Sequence, residues 1–307
     1  MARVYPQAWF GDGIAPAAQA SLSITSAAVL YGLSVYTVLP VTVSGDGAPL
    51  GFRLADHYRR LVNSARIIGI DTWEPAWSEA RFEAALADVV RVNRIDGDVF
   101  VRVSVHVDAQ LPGTRSRGIS TCLSMFVYEA EPILPLDGAR LKTSVWRRIP
   151  DYAIPSRAKV NGAYVNSVLA KQDAIDSGYD DCIFLDASGH VCELSAANIF
   201  IVRGGVLITP STAQDLLEGI NRATVLAIAE SEGMDTHERE VDLTELYIAD
   251  EVFACGTSTY IAPVIEVDAR VVNGSAAGPV TERLRERYNA VLRGEDAEFA
   301  HLVTPLR

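Results

Sequence analysis

Three of the 27 basic residues are lysines: Lys142, Lys159 and Lys171. A partly buried lysine can lose its proton and form a Schiff base, whereas arginine stays charged. Low lysine usage is ordinary in an alanine- and arginine-rich sequence, but it does not explain where Lys159 sits. That residue lies in Ser156-Arg157-Ala158-Lys159-Val160-Asn161-Gly162, between a strand pattern and a helix pattern. Glu193 follows 34 positions later, in Val191-Cys192-Glu193-Leu194-Ser195-Ala196-Ala197-Asn198-Ile199-Phe200. Leu217-Glu218-Gly219-Ile220-Asn221-Arg222 makes a glycine-containing turn into a helix, and Gly256-Thr257-Ser258-Thr259 ends an apolar strand.

These parts fit a cofactor that carries an aldehyde, a ring nitrogen and a phosphate. Lys159 would supply the amine. Glu193 would keep the ring nitrogen protonated, because a nearby carboxylate favours the cationic form. The amides near Ile220 and Asn221 leave a helix N-terminus, where a phosphate is favoured. Thr257 adds a hydroxyl and an amide. Pyridoxal phosphate uses all of these groups as an electron sink. Singly, each has a plainer explanation: Asn221 a helix cap, Glu193 a solvated strand face, Gly256-Thr257 a turn. Their order and spacing together carry the reading.

The elements that must position them alternate through the chain. Leu22 to Pro40 and Gly51 to Leu54 read as strand-like stretches separated by the turn Gly45-Asp46-Gly47. Asp56 to Ile68 and Trp77 to Asn93 carry apolar residues in helical rhythm. Val99 to Val107 and Thr121 to Tyr128 read as strands around a polar loop, Gln110 to Arg117. The proline-bearing stretch Ala130 to Gly138 reads as the crossing between domains. Asn161 to Ser177 predicts a helix. Cys182 to Asp186 and His190 to Glu193 predict strands, and Arg203-Gly204-Gly205 marks a hairpin between Asn198–Val202 and Val206–Thr209. Arg222 to Glu232 predicts a helix capped by Asn221. Glu251 to Cys255 is a buried strand, and Pro279 to Arg293 an amphipathic helix. The expected partition is an N-terminal domain at 1–131, a linker at 132–140 and a C-terminal cofactor-binding domain at 141–307.

Composition narrows the function. The 307 residues, 49% hydrophobic and 21% charged, can bury a real core. A net charge of −12 argues against a nucleic-acid partner. No run of about 18 apolar residues implies a membrane span. Met1-Ala2-Arg3-Val4-Tyr5 lacks the apolar stretch of a secretory signal, which points to the cytoplasm. Cys122, Cys182, Cys192 and Cys255 are scattered and read as reduced, buried thiols. The five histidines lack metal-ligand spacing, so no metal is expected.

The chain resembles the class IV aminotransferases, the fold-type IV pyridoxal-phosphate family that includes branched-chain amino-acid aminotransferases. Ala158 to Ser167, Gly178-Tyr179-Asp180-Asp181, Leu246 to Phe253 and Gly256-Thr257 carry the resemblance. It implies an α+β, two-domain fold: a smaller N-terminal α/β domain, a larger C-terminal domain with a β-barrel-like core, and the cofactor between them. It makes Lys159 the Schiff-base lysine and the acid/base. Tyr164 would bond the ring hydroxyl, and Arg60 would contact the phosphate with Ile220, Asn221 and Thr257. Leu217 would pack on the ring, with Gly219 and Gly256 in the cofactor cup. Substrate contacts would come from Tyr31, Tyr36, Phe100, Arg102, Ser258 and Thr259. Arg59 reads as a solvated helix residue.

The substrate side departs from the pattern. The branched-chain run Tyr-Gly-Thr-Ser-Val-Phe-Glu-Gly-Ile-Arg is here Tyr31 to Pro40, so Thr37, Val38 and Pro40 replace Glu, Gly and Arg. The family's Tyr-x-Arg strand is Phe100-Val101-Arg102, the threonine after Gly-Ile is Asn221, and the Gly-Thr-Ala-Ala loop is Gly256-Thr257-Ser258-Thr259. Arg115 and Arg117 could reach the pocket from their loop or stay solvated. The default is transfer from a branched-chain L-amino acid to 2-oxoglutarate by a homodimer or higher oligomer, the partner's first-domain loop closing the site. The rivals are a D-amino-acid or (R)-amine transaminase, an aminodeoxychorismate-type lyase and a non-catalytic pyridoxal-binding protein.

Overall fold

The computed structural model describes residues 3–306. Its elements, in chain order, begin with β1 (Arg3–Phe10), β2 (Gly13–Pro16), α1 (Ala27–Tyr31), β3 (Ser34–Val43), β4 (Pro49–Phe52), α2 (Leu54–Ile67), α3 (Glu79–Val92), β5 (Val99–Val107) and β6 (Thr121–Glu129). There follow β7 (Ala139–Thr143), α4 (Tyr164–Asp176), β8 (Asp181–Leu185), β9 (Val191–Leu194), β10 (Asn198–Arg203), β11 (Val206–Pro210), α5 (Ile220–Ser231) and β12 (Thr236–Arg239). The chain ends through α6 (Leu243–Tyr247), β13 (Glu251–Gly256), β14 (Tyr260–Val267), β15 (Arg270–Val271), α7 (Pro279–Leu292) and β16 (Val303–Pro305).

Two compact units result: residues 1–131, Ala158–Ala163 and Ala290–Arg307 form the first, and Pro132–Arg157 with Tyr164–Asn289 the second. The N-terminal stretch of the first unit ends at Glu131. Residues 132–140 belong to the second unit because β7 starts at Ala139 and pairs with β8 and β14. The C-terminus returns to the first unit because β16 pairs with β4. The Lys159 segment also joins the first unit, since Val160 bridges to Val35.

The first unit holds an antiparallel sheet in the order β16-β4-β3-β5-β6-β1-β2. Alternation gives each strand two faces. On one, Val35, Leu39, Val101, Val103 and Val105 pack with the apolar stripes of α2 (Leu54, Leu61, Ala65) and α3 (Phe82, Leu86, Val89) into a continuous core. The stretch Leu22 to Pro40 is not one strand. Ser26 caps α1 by accepting from the Val29 amide, and Gly32, at φ 64°, ends that helix before β3 begins. Gly32 also tolerates no side chain, since a Cβ would meet Gly162 Cα at 2.8 Å.

In the second unit the strands run β12-β11-β10-β13-β14-β7-β8-β9, with β15 on the side of β14. The sheet curls until β9 lies against β10 and β11, the barrel-like core of the expectation. Ile183, Leu194, Ile199, Ile201, Val252 and Val264 fill its interior. Two helix starts shift from the sequence reading. Asn161 and Gly162 lie in a turn, donating to the Ser34 and Gly32 carbonyls, so α4 begins at Tyr164. The N-cap of α5 is Gly219 rather than Asn221, which lies inside the helix. All four cysteines are buried and unpaired in disulfides. Among the described residues, no helix is long and apolar enough to cross a membrane.

Candidate active site

The first unit places Lys159 on a short extension of its sheet. The Lys159 carbonyl accepts from the Tyr36 amide at 3.0 Å, and its own amide donates to Ser64 Oγ at 3.0 Å. Lys159 Nζ stands 5.0 Å from the centroid of the Tyr36 ring. Arg102 stacks on the same ring with its guanidinium carbon 3.7 Å from the centroid, and its Nη2 donates to Asn161 Oδ1 at 3.3 Å. Arg60 reaches from α2 to Thr37, donating from Nη2 to Oγ1 at 2.7 Å.

The sheet face opposite the helices gathers three of the expected substrate residues, Tyr36, Phe100 and Arg102. Register sets Tyr36 opposite Ser104, Val38 opposite Arg102 and Pro40 opposite Phe100. Phe100 and Arg102 in turn oppose Tyr128 and Phe126. Directly paired residues share a face. Tyr36, Val38, Pro40, Phe100, Phe126 and Tyr128 thus surround Arg102. Phe126, Tyr128 and Val38 were not foreseen as neighbours of that arginine. Further along, His106 bonds Ser34 Oγ through Nδ1 and Ser124 Oγ through Nε2. Burial, then the charge of Arg102, push His106 down to about 4. Tyr31 ends α1 and is exposed; Arg115 and Arg117 are exposed in their loop. Arg59 is solvated and paired with Asp56.

In the second unit Glu193 is buried rather than on a solvated strand face. Its Oε2 accepts from the Leu217 amide at 3.2 Å and from Asn198 Nδ2 at 3.4 Å. Arg148 Nε lies 2.8 Å from Oε1, a close charge contact without hydrogen-bond alignment. Asn198 also donates to the Leu217 carbonyl at 3.0 Å, tying that loop to the carboxylate. Gly219 follows, where a Cβ would fall 2.0 Å from Asn198 Oδ1. Ile220 and Asn221 open α5 with no capping side chain at Gly219. Asn221 Nδ2 lies 3.4 Å from Thr257 Oγ1, while its buried Oδ1 lacks a hydrogen-bond partner. Gly256 to Thr259 form one turn: the Thr259 amide donates to the Gly256 carbonyl, and Ser258 accepts from the Ile133 amide. Thr259 is wholly buried and its Oγ1 is also without a partner. Tyr164 is the first residue of α4.

A buried carboxylate gripped by donors suits a protonated ring nitrogen. An uncapped helix start beside the Thr257 hydroxyl suits a phosphate. The donor set therefore fits pyridoxal phosphate. Arg148 and Asn198 beside Glu193, and Ser64 beside Lys159, were absent from the expected residues, because contacts between distant segments of each unit bring them there.

The fold, an antiparallel sheet unit and a curled mixed-sheet unit, is that of an α+β enzyme of fold type IV. The model of the amino-transferase class IV family matches residues 34–267. A probable branched-chain-amino-acid aminotransferase of Aquifex aeolicus is 35% identical over 97% of this chain and 96% of its own length. The branched-chain aminotransferase of Thermoproteus uzoniensis, solved with norvaline, superposes with a TM-score of 0.94 at 33% identity, covering 99% of this chain and 100% of its own. A second branched-chain amino acid aminotransferase, solved with pyridoxamine 5'-phosphate, superposes at 0.92 with 33% identity over 99% of each chain, and it has also been solved with N-(5'-phosphopyridoxyl)-L-glutamate. The chain belongs to the class IV aminotransferases and is a pyridoxal-phosphate-dependent enzyme.

Proposed function

We propose that this aminotransferase moves the amino group of a branched-chain L-amino acid to 2-oxoglutarate. The supporting observation is the substrate face of the first unit: one arginine, Arg102, set among Tyr36, Val38, Pro40, Phe100, Phe126 and Tyr128. A face with one guanidinium and an apolar surround suits a carboxylate joined to an aliphatic side chain. The branched-chain names of the relatives and the glutamate adduct of the second solved enzyme agree with that pair.

When bound, pyridoxal phosphate supplies the electron sink that makes the substrate α-carbon acidic. Lys159 would hold the cofactor through Nζ and would serve as the acid/base for the proton at the substrate α-carbon. The Tyr36 ring beneath Nζ steers that amine while Arg102 holds the carboxylate. Glu193 keeps the ring nitrogen charged; Arg148 and Asn198 keep Glu193 in place. Tyr164 would bond the ring hydroxyl and Leu217 would pack on the ring. Arg60, Ile220, Asn221 and Thr257 would hold the phosphate, with Gly219 and Gly256 in the cofactor cup. Tyr31, Ser258 and Thr259 complete the substrate side.

The active form is a homodimer. In the second unit α4 exposes Val165, Val168, Leu169 and Ile175, and the neighbouring loop exposes Val145 and Trp146. Such a patch is what a second copy would cover. Sedimentation should give a dimer, and Val168→Glu should shift it toward monomer. Four buried, reduced cysteines suit a reducing cytoplasm.

A donor panel read by cofactor absorbance tests the substrate assignment. L-leucine, L-isoleucine and L-valine should convert the yellow band, and 2-oxoglutarate should restore it. Conversion by D-alanine or (R)-1-phenylethylamine but not by L-leucine would overturn it.

A further inference from the structure

His57, Arg60 and Ser64 follow one another at helical spacing along α2, so their side chains share a face. Within the first unit, that face meets β3 and the Lys159 segment. Arg60 Nη2 donates to Thr37 Oγ1 at 2.7 Å, and the same hydroxyl lies 2.7 Å from His57 Nδ1. Thr37 and His57 are wholly buried. Ser64 Oγ donates to the Arg60 carbonyl at 2.8 Å and accepts the Lys159 amide at 3.0 Å. One hydrogen-bonded run thus links His57, Thr37, Arg60, Ser64 and Lys159.

Its direction follows from the donors available. A guanidinium only donates, so Thr37 accepts from Arg60 and gives its own proton onward. The acceptor is His57 Nδ1, which requires a neutral imidazole with its proton on Nε2. Burial, then the charges of Arg60, Arg53 and Lys159, push His57 well below the usual histidine range, in keeping with that neutral form. His57 Nε2 is buried without a partner. An unsatisfied buried atom is unfavourable and calls for an explanation.

A carboxylate at position 37 would fix Arg60 but neutralise it. A hydroxyl backed by a neutral ring fixes the direction of the guanidinium and adds no opposing charge of its own. We propose that Thr37, backed by His57, is the positioning residue that aims Arg60 at the phosphate of the cofactor. The proposal rests on the assignment of Arg60 as a phosphate ligand.

The test is titration of full-length, cofactor-stripped enzyme with pyridoxal 5'-phosphate and, separately, with pyridoxal, which lacks the phosphate. Thr37→Val keeps the shape and removes the hydroxyl. It should weaken pyridoxal-phosphate binding about tenfold, the loss expected for a hydrogen bond to a charged group, and leave pyridoxal binding within about twofold. Thr37→Ser should restore phosphate-dependent binding to within about threefold of the parent. Unchanged pyridoxal-phosphate binding in Thr37→Val would overturn the proposal, as would equal loss of both ligands, the mark of a merely structural role. Arg60→Ala separates the two claims. If it binds pyridoxal phosphate like the parent, the assignment of Arg60 fails; if it binds weakly while Thr37→Val does not, only the positioning role fails.

Discussion

Gly219→Ala adds one methyl group where Asn198 already stands. The backbone at Gly219, φ −69°, suits any residue, so the effect is steric alone. The new Cβ would lie 2.0 Å from Asn198 Oδ1, against the 3.4 Å at which ordinary contact begins. Either the amide of Asn198 or the start of α5 must therefore retreat by more than an ångström. Asn198 holds the Leu217 carbonyl at 3.0 Å and Glu193 Oε2 at 3.4 Å, so a retreat of that size breaks both bonds. A neutral bond contributes about 1 kcal/mol and one to a charged group about 1.5–3 kcal/mol, so the loss is roughly 2.5–4 kcal/mol. If both bonds shape the cup around the ring nitrogen, as proposed, pyridoxal phosphate should bind roughly 60- to 700-fold more weakly. Fluorescence titration of stripped enzyme measures this. Asn198→Ala removes the obstacle along with the bonds, so adding Gly219→Ala to it should cost little more, the non-additivity of contacting sites. The reasoning fails if Gly219→Ala titrates like the parent, or if the two losses simply add.

Arg148→Met should strip Glu193 of its buried counter-charge and cost about 3 kcal/mol, seen as a thermal midpoint lower by roughly 6 °C in stripped enzyme. Adding Glu193→Gln should recover part of that drop, because the stranded charge is then gone. His106 gives a pH dependence: its pKa is lowered to about 4, so as pH falls the unfolded chain takes up the proton first. Its stabilisation is complete above about pH 6.5 and is lost as pH falls toward 4, by about 3 kcal/mol at most. Urea midpoints at pH 7 and 4.5 measure the slope, and His106→Gln should flatten it; buried His57 contributes a remainder of the same sign. Arg102→Lys should raise the KM of amino donor and 2-oxo acid together by about tenfold, since a point charge replaces a planar fork stacked on Tyr36.

Local chemistry was legible. The Arg203-Gly204-Gly205 turn, the stripes of α2 and α3 and the alternation of Val99–Val107 each carry their signal within a few residues, and each forms as read. Lys159 and Glu193 were legible as chemistry because their types and order had meaning beyond their neighbours. What failed has two causes, a local ambiguity and distance in the chain. Ala27–Tyr31 is apolar enough for strand or helix, and the Ser26 cap and Gly32 stop decide it. β16 has no local reason to leave the C-terminal half; it pairs with β4, some 250 residues earlier. Arg148 and Asn198 gain their roles only when the curled sheet brings them to Glu193. One missed signal was present: His57, Arg60 and Ser64 form a polar stripe at helical spacing beside the apolar stripe of α2, a pattern that marks a face turned toward something other than core.

Lys159 is the residue on which the account turns, and with three lysines in the chain the test is unambiguous. Borohydride reduction of the yellow holoenzyme fixes the cofactor to the amine that holds it. Tryptic mapping should then find the pyridoxyl group on Lys159, in a peptide running from Ala158 to Lys171 because cleavage at the modified residue is blocked. A label on Lys142 or Lys171, or a Lys159→Ala variant that still turns yellow and transaminates, would contradict the account.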